Sequence, residues 1–552
     1  MTITALWYDG WMLTSINWSA LWLSGPFVAA NLLVATISIV AFINNWQRSS
    51  PPERLVSVGA EYPVAVVITI CGEPVTMVQR TACTVLTQDW PHHYLRLVLS
   101  DDGADEQVEC LARALQKAHP AATVLYHRPP GRGTPERRGD AKAGNLNSAL
   151  DLIKARFPEV AYMETRDADD EVGDPTFLRQ CIGQLQADTT VAFVQTIKKE
   201  ARVSVGDPFG NMETLFYRGS MLARHAANAV VPCGSGLVWR MAALETIGGF
   251  PTWNLVEDLQ AGVEALRQGW RGLYLPIVGV VSQHAPEDIP NVYKQRGVWA
   301  LDTMRLLLWR RLGGLNLRQR LHFIGLGLFY LLSFALLCFV VVPMLSFVWH
   351  VYPLTTDEMA YAVHFWPFAA MLELFLVTLN GGRPYESLWR ARQMWLGLAP
   401  VYARACIMAL LTGPQRKPRY RVTRKVHRFH WYWRETLVQI VLTALLCASL
   451  TYGAMTTPLL TRFDLGSAFW ASFLILGLGG FITKGWYGVA WRQELHAVVQ
   501  AAAVSTHEVL TMLPGRATGD QLATRGDVFL TWIKRARGAS VTHRQPWPDT
   551  EE

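Results

Sequence analysis

Several apolar runs in this chain are long enough to cross a bilayer, and one long polar block, residues 48–320, lies between the first run and the second. A helix needs about 20 apolar residues to cross the hydrocarbon core. Residues 27–46 meet that length without a charged side chain. Further runs at 323–349, 359–379, 437–455 and 467–483 bring the predicted spans to five. Residues 7–23 are Trp-rich and amphiphilic and are expected to lie at the interface. Their start is too poor in positive charge for an ordinary signal peptide, so they are expected to be retained. Charged residues make up 17% of the 552, and the 22 Trp are many for a soluble enzyme.

The distribution of charge orients the spans. Residues 1–26 and 351–358 contain no Lys or Arg, and 456–466 contain only Arg462. Residues 48–54, 383–434 and the tail after 492 are basic, which places them in the cytoplasm. Five spans then leave the N-terminus outside, with the polar block and the C-terminus inside. The net charge of +7 crowds into residues 416–434 beside an apolar run, which argues for a lipid bilayer and against nucleic acid as the partner. Eight cysteines stand singly with no Cys-x-x-Cys pair, so neither a zinc site nor a disulfide framework is expected. Glu373 falls inside the third span, where it needs either a polar neighbour or a hydrated channel wall.

Within the polar block, residues 64–70, 95–99, 123–127, 161–164 and 191–195 read as strands, with helices at 75–86 and 106–117. That is the βαβ pattern of an open, mostly parallel sheet, whose ligands bind beyond the carboxyl ends of the strands. Asp101-Asp102-Gly103 and Asp167-Ala168-Asp169 each follow a strand directly. Asp-Gly alone is a common turn signal. Two carboxylates after a buried strand repel unless a cation joins them, and Mg²⁺ or Mn²⁺ takes oxygen ligands and binds diphosphates. Asp167 and Asp169 are therefore the candidate metal ligands. Glu257-Asp258 opens a helical stretch, where carboxylates serve either as dipole partners or as a general base. Asp258 is the candidate base, with Glu257 beside it.

These residues resemble processive family 2 glycosyltransferases, in particular bacterial cellulose and related β-glucan synthases. The resemblance covers roughly residues 20–490 and implies an α/β GT-A-like cytoplasmic domain inserted between transmembrane helices. The segment Ile70-Cys71-Gly72-Glu73-Pro74 looks like the first nucleotide-binding turn, and Asp101 with Asp102 like the uridine-binding carboxylates. Lys142-Ala143-Gly144-Asn145-Leu146-Asn147 is similar to the family's segment near the diphosphate, and Cys233-Gly234-Ser235 to its loop beside the acceptor sugar. Val256-Glu257-Asp258 stands where the family has Thr-Glu-Asp, whose Asp is the base. Gln295 and Trp299 fall on the family's Gln-x-x-Arg-Trp helix, and Tyr420, Val422, Thr423 and Lys425 match a gating loop that closes over nucleotide. Residues 385–411 look like the interfacial helix before that loop.

Two departures stand out. Val298 replaces the motif Arg that helps hold the diphosphate, leaving Arg296 or Arg305 to supply its charge; Cys71 replaces an aromatic that packs on uracil. The tail after residue 491 is too short for the cyclic-dinucleotide-sensing domain of many members, so direct control by that messenger is not expected.

The implied organisation is an N-terminal segment and first span (1–47), the catalytic domain (48–320), spans (321–382), interfacial helix and gating loop (383–434), spans (435–491) and a cytoplasmic tail (492–552). The implied activity is polymerisation of glucose from UDP-glucose, with Mg²⁺ or Mn²⁺, into a β-1,3 curdlan-like or β-1,4 cellulose-like glucan. The growing polysaccharide is the acceptor and is extruded across the bacterial inner membrane, with accessory secretion proteins as possible partners. Synthesis of a chitin- or hyaluronan-type polymer, a catalytically weakened transport subunit, and a lipid-linked monosaccharide transferase are the competing readings.

Overall fold

β1 (Val64–Ile70) is an unbroken apolar strand, buried on both faces, and the sheet is built outward from it. Such a run suits a central parallel strand covered by helices on either side. β1 pairs in parallel with β2 (Leu95–Asp101) and with β4 (Tyr162–Asp167), and β2 pairs in parallel with β3 (Thr123–His127). The crossovers are α3 (Val75–Leu86), α4 (Glu106–Ala118) and α5 (Ala141–Arg156). The computed structural model describes residues 1–47, 58–201, 209–211, 215–283, 285–286, 288–310, 312–381, 385–415, 431–456 and 462–485.

Beyond β4 the sheet becomes mixed. β5 (Asp170–Val172), α6 (Phe177–Ala187), β6 (Val191–Glu200), α7 (Met221–Ala226), β7 (Leu237–Arg240), α8 (Met241–Thr246), α9 (Glu257–Arg267) and β8 (Arg271–Ser282) complete the domain. The strand order is β3-β2-β1-β4-β7-β6-β8-β5, with β7 antiparallel to both neighbours and β6 parallel to β8. The five strands expected from the sequence are present. β5, β7 and β8 escaped that reading for local reasons. β5 and β7 are only three and four residues long, and Gly272, Pro276 and Gly279 interrupt β8.

Before and after the sheet domain lie α1 (Thr2–Thr14), α2 (Leu21–Asn45), α10 (Ile289–Trp309), α11 (Leu317–Trp349), α12 (Glu358–Leu379), α13 (Tyr385–Thr412), α14 (Leu437–Thr456) and α15 (Arg462–Gly485). Among the described residues six helical stretches are long and apolar enough to cross a membrane, one more than expected; the additional one is α13. Before it, Leu379 O lies 3.2 Å from where a Cβ on Gly219 would stand. Near its end, Ala409 O accepts from Trp309 Nε1 and Pro414 O accepts from Trp253 Nε1, both at 2.8 Å. The C-terminal end of this 28-residue helix, about 42 Å long, thus lies beside α10 and Trp253 of the sheet domain.

The opposite ends of the spans form a second cluster. Asn17 donates through Nδ2 to Tyr352 O at 2.8 Å, and Thr355 N donates to Ser15 O at 2.8 Å. α1 folds back over α12, with Tyr8 packed against the rings of Tyr361, Phe365 and Phe368. Glu373 on α12 pairs with Arg392 on α13, so the polar-neighbour alternative for this carboxylate is the one observed.

Candidate active site

The register of the parallel strands brings the acidic clusters to one rim. Ile70 pairs with Asp101 and Thr69 with Asp167, so β1, β2 and β4 end together. β7 runs the other way, and its first residue, Leu237, pairs with Thr165. The Cys233-Gly234-Ser235 loop that precedes β7 therefore reaches the same rim.

At the β1–β2 end the two carboxylates are already engaged. Asp101 is fully buried; Oδ1 accepts from Gly103 N and Oδ2 from Asp105 N, each at 2.7 Å. Tyr126 OH adds a 3.3 Å contact. Both oxygens of Asp101 thus hold the turn that follows β2. Asp102 takes a bidentate grip from Arg137 at 2.7 and 2.8 Å and a further contact from Arg132 at 3.3 Å. Arg137 also donates to Pro130 O and Ala141 O, so the pair ties the loop before α5 to the rim. Arg132 reaches Cys71 Sγ at 3.2 Å, and Glu73 closes its own turn by accepting from Cys71 N at 2.6 Å. Asn145 donates through Nδ2 to Ser100 O from a buried position.

The centre of the pit lies beyond β4. Lys142, on the first turn of α5, donates to Asp167 Oδ1 at 2.5 Å and to Gly234 O at 3.0 Å. Burial works to lower its pKa, but Asp167, Glu257 and Asp258 outweigh that and push it up. Ser235 is buried, and its Oγ accepts from Asp167 N at 3.1 Å. Cys233 N donates to Gln195 Oε1 at 2.7 Å, which fixes the loop from below. Asp169 is buried behind Asp167, its Oδ2 3.5 Å from Ser282 Oγ.

Lys198 was not singled out from the sequence. Its Nζ lies 2.9 Å from Asp170 Oδ2 and 3.6 Å from Asp167 Oδ2. Burial works to lower its pKa, and Asp170, Asp167 and Asp169 more than reverse the effect. In sequence it belongs to Lys198-Lys199-Glu200, a charge run that reads as solvated. Only the β6–β8 register, which pairs Lys198 with Val280, carries it into the pit.

Glu257 and Asp258 open α9 on the far wall. Burial pushes the Glu257 carboxyl up to about 8 against the pull of Lys142, with Asp258 adding to the rise. Burial pushes Asp258 up to about 6, again against Lys142. Burial thus raises both carboxyls above the usual range, Glu257 the more. Asp258 is half-buried and Glu257 buried, so Asp258 is the more accessible. The preceding loop is held by Asp302 on α10, whose Oδ2 accepts from Leu255 N at 2.5 Å and Val256 N at 2.8 Å.

Gly234 is closely packed between the two walls of the pit. It sits at φ +74°, and a Cβ there would lie 2.9 Å from Asp258 Oδ2 and 3.0 Å from Lys142 Nζ. Both obstacles are ends of movable side chains, so Gly234→Ala should fold, with a backbone strain of about 1–3 kcal/mol. Displacing those two groups should lower turnover at least tenfold while thermal unfolding drops only a few degrees. Unchanged turnover in the folded variant would remove Gly234 from the site.

On α10, Gln295, Arg296 and Trp299 are half-buried, and the Arg296 guanidinium stacks over the Trp299 ring at 4.8 Å. Arg305 does not supply the charge that Val298 lacks. It is buried against the Trp253 ring at 4.6 Å and lies 3.9 Å from Asp302. Tyr420, Val422, Thr423 and Lys425 lie outside the described residues.

Residues 166–376 match the family described as Glycosyl transferase family group 2. The chain carries a family 2 glycosyltransferase domain. The match begins at the Asp167-Ala168-Asp169 turn and includes Asp258 and α10. The chain is 28% identical over 342 residues to Cellulose synthase 1 catalytic subunit [UDP-forming] of Komagataeibacter xylinus, covering 58% of this chain and 43% of that one. It is 27% identical over 314 residues to Cellulose synthase catalytic subunit [UDP-forming] of Pseudomonas fluorescens, covering 54% of this chain and 39% of that one. It thus spans less than half the length of either relative. Among solved structures, the mannosyltransferase PcManGT from Pyrobaculum calidifontis, in complex with GDP-Man and Mn²⁺, matches with a TM-score of 0.51 and 17% identity. That alignment covers 71% of this chain and 99% of the mannosyltransferase, and it supports the GT-A-like fold. With the apolar helices among its described residues, the chain is a multi-pass membrane protein.

Proposed function

We propose that this chain is a processive, inverting glycosyltransferase that polymerises glucose from UDP-glucose into a β-glucan and passes it across the bacterial inner membrane. The observation that carries the reading is the placement of Lys142. It joins Asp167 on the donor side to Gly234 on the acceptor side, and its charge acts on Asp258. The names of the cellulose synthase relatives support UDP-glucose and a glucan. The cytoplasmic placement is supported by Arg318, Arg320, Arg390, Arg392, Arg404 and Lys484, which lie on the helix ends and on α13 near the sheet domain. The opposite links, 15–24 and 349–358, contain no Lys or Arg.

The site suits a divalent cation. Among the described residues no group of three or more His, Cys, Asp or Glu forms a metal cage. Mg²⁺ or Mn²⁺ on a nucleotide needs only one or two protein carboxylates, the rest of its shell being phosphate and water. Asp167, Asp169 and Asp170 offer carboxylate oxygens, and Asp170 Oδ1 is buried without a hydrogen-bond partner. Negative charge is thus in excess, and Asp167 with Asp169 would hold the ion. When bound, it would neutralise charge on the departing diphosphate.

The protein's own groups do the rest. The terminal hydroxyl of the growing chain lies at the Cys233-Gly234-Ser235 loop and gives its proton to Asp258. Its oxygen bonds to the anomeric carbon as the bond from that carbon to the diphosphate breaks. UDP leaves with the bonding electrons, and configuration inverts from α to β. Lys142 holds both walls of the pit together during transfer, and Trp299 offers a ring on which an acceptor sugar can stack.

The test is to incubate membranes bearing the protein with radiolabelled UDP-glucose and Mn²⁺, then digest the product with linkage-specific β-glucanases. Insoluble label released by a β-1,3- or β-1,4-glucanase is expected, and the enzyme that releases it assigns the linkage. Label transferred from UDP-N-acetylglucosamine but not UDP-glucose would overturn the glucan assignment. No transfer from any UDP-sugar would assign the protein a transport role.

A further inference from the structure

α10 carries valine at position 298, where the resemblance places an arginine for the diphosphate, and neither nearby arginine is free to replace it. Arg305 is buried on Trp253, and Arg296 is stacked on Trp299 with NH2 donating to Gly210 O at 3.2 Å. A departing diphosphate still needs fixed positive charge, since protein cations aimed at developing negative charge supply much of the transition-state stabilisation in such transfers. Lys198 lies beside Asp167, near the Oδ2 oxygen, while Lys142 holds Oδ1.

We propose that Lys198 is a donor-binding residue that contacts the diphosphate of the sugar nucleotide, taking over the charge that position 298 lacks. The proposal rests on the nucleotide-sugar reading of this site. The ammonium has three N–H donors. Asp170 Oδ2 takes one at 2.9 Å, and this fully buried carboxylate anchors the side chain. Asp167 Oδ2, at 3.6 Å, is beyond hydrogen-bond reach, so that contact is ionic only. A phosphoryl oxygen arriving on the Asp167 side can replace it without breaking the anchor. The side chain is about a quarter exposed, which leaves a ligand a path to it. Lys142 and Lys198 approach Asp167 through different oxygens, Oδ1 and Oδ2, so they reach the donor site from two directions.

The experiment compares UDP with uridine, which lacks both phosphates, as ligands of the full-length protein in lipid nanodiscs with Mn²⁺. Lys198→Gln should weaken UDP binding at least tenfold while leaving uridine binding unchanged, and Lys198→Arg should restore most of the UDP affinity. Unchanged uridine binding shows that the variant is folded. Equal UDP affinity in the parent and in Lys198→Gln would overturn the proposal and leave the nucleotide-sugar reading standing. Loss of UDP and uridine binding together would make Lys198 a structural residue and overturn the proposal as well. A parent protein that binds neither ligand would overturn both.

Discussion

Asp258→Asn should reduce sugar transfer by about 10²–10⁴-fold, the range that a positioned general base contributes, while UDP binding stays within about twofold of the parent. Asparagine keeps the shape and the contact to Leu259 N, which now reaches Asp258 Oδ1 at 2.7 Å. What it loses is the ability to accept the proton of the attacking hydroxyl. The pH profile provides a second reading of the same group. Asp258 acts as a base only when ionised, and burial has raised it to about 6. In the parent, kcat/KM should therefore fall tenfold per pH unit on the acid side of about pH 6 and flatten above it. The residual rate of the Asn variant should lack that limb. Near-normal turnover in the variant, or an acid limb that survives in it, would assign the base elsewhere.

Asp167→Ala should have the second large effect, together with metal removal. Asp167 has both oxygens turned to cations, Lys142 on one side and Lys198 on the other, and is the more exposed of the two proposed metal ligands. Removing its carboxylate takes away a ligand for the divalent ion and leaves two ammonium groups facing the pit without it. Transfer is expected to drop at least a hundredfold, with UDP binding losing its dependence on Mn²⁺. Chelation should silence the parent, and Mn²⁺ or Mg²⁺ should restore it. The Ala variant should not recover at any metal concentration. Full activity in chelator would contradict the metal assignment.

The parts of the site that could be read from the chain are those tied to regular strands. β1 is an apolar run and β2 and β4 pair beside it in parallel, so the carboxylates at their ends lie at the carboxyl rim, Asp167 among them. Asp258 was legible as an acidic residue at a helix start beside a Glu. Lys198 was not, because its position depends on a bulged pairing of β6 with β8, a strand broken by glycines and a proline. Asp302 was equally hidden, since a carboxylate inside a helix gives no sign that it holds a loop 46 residues earlier. Asp101 and Asp102 were legible as a turn and as a ligand pair, and the turn role is the one on display. α13 escaped the count of spans because Arg390, Arg392 and Arg404 break its apolar run, although its length and composition fit a span.

Product length during the first turnovers tests the central claim most directly. Purified protein in nanodiscs, given limiting time and excess UDP-glucose with Mn²⁺, should yield a few long β-glucan chains, with little material of intermediate size. A product made of single sugars on lipid, or a ladder of short oligomers that lengthens evenly with time, would contradict a pit that keeps its acceptor between rounds of transfer.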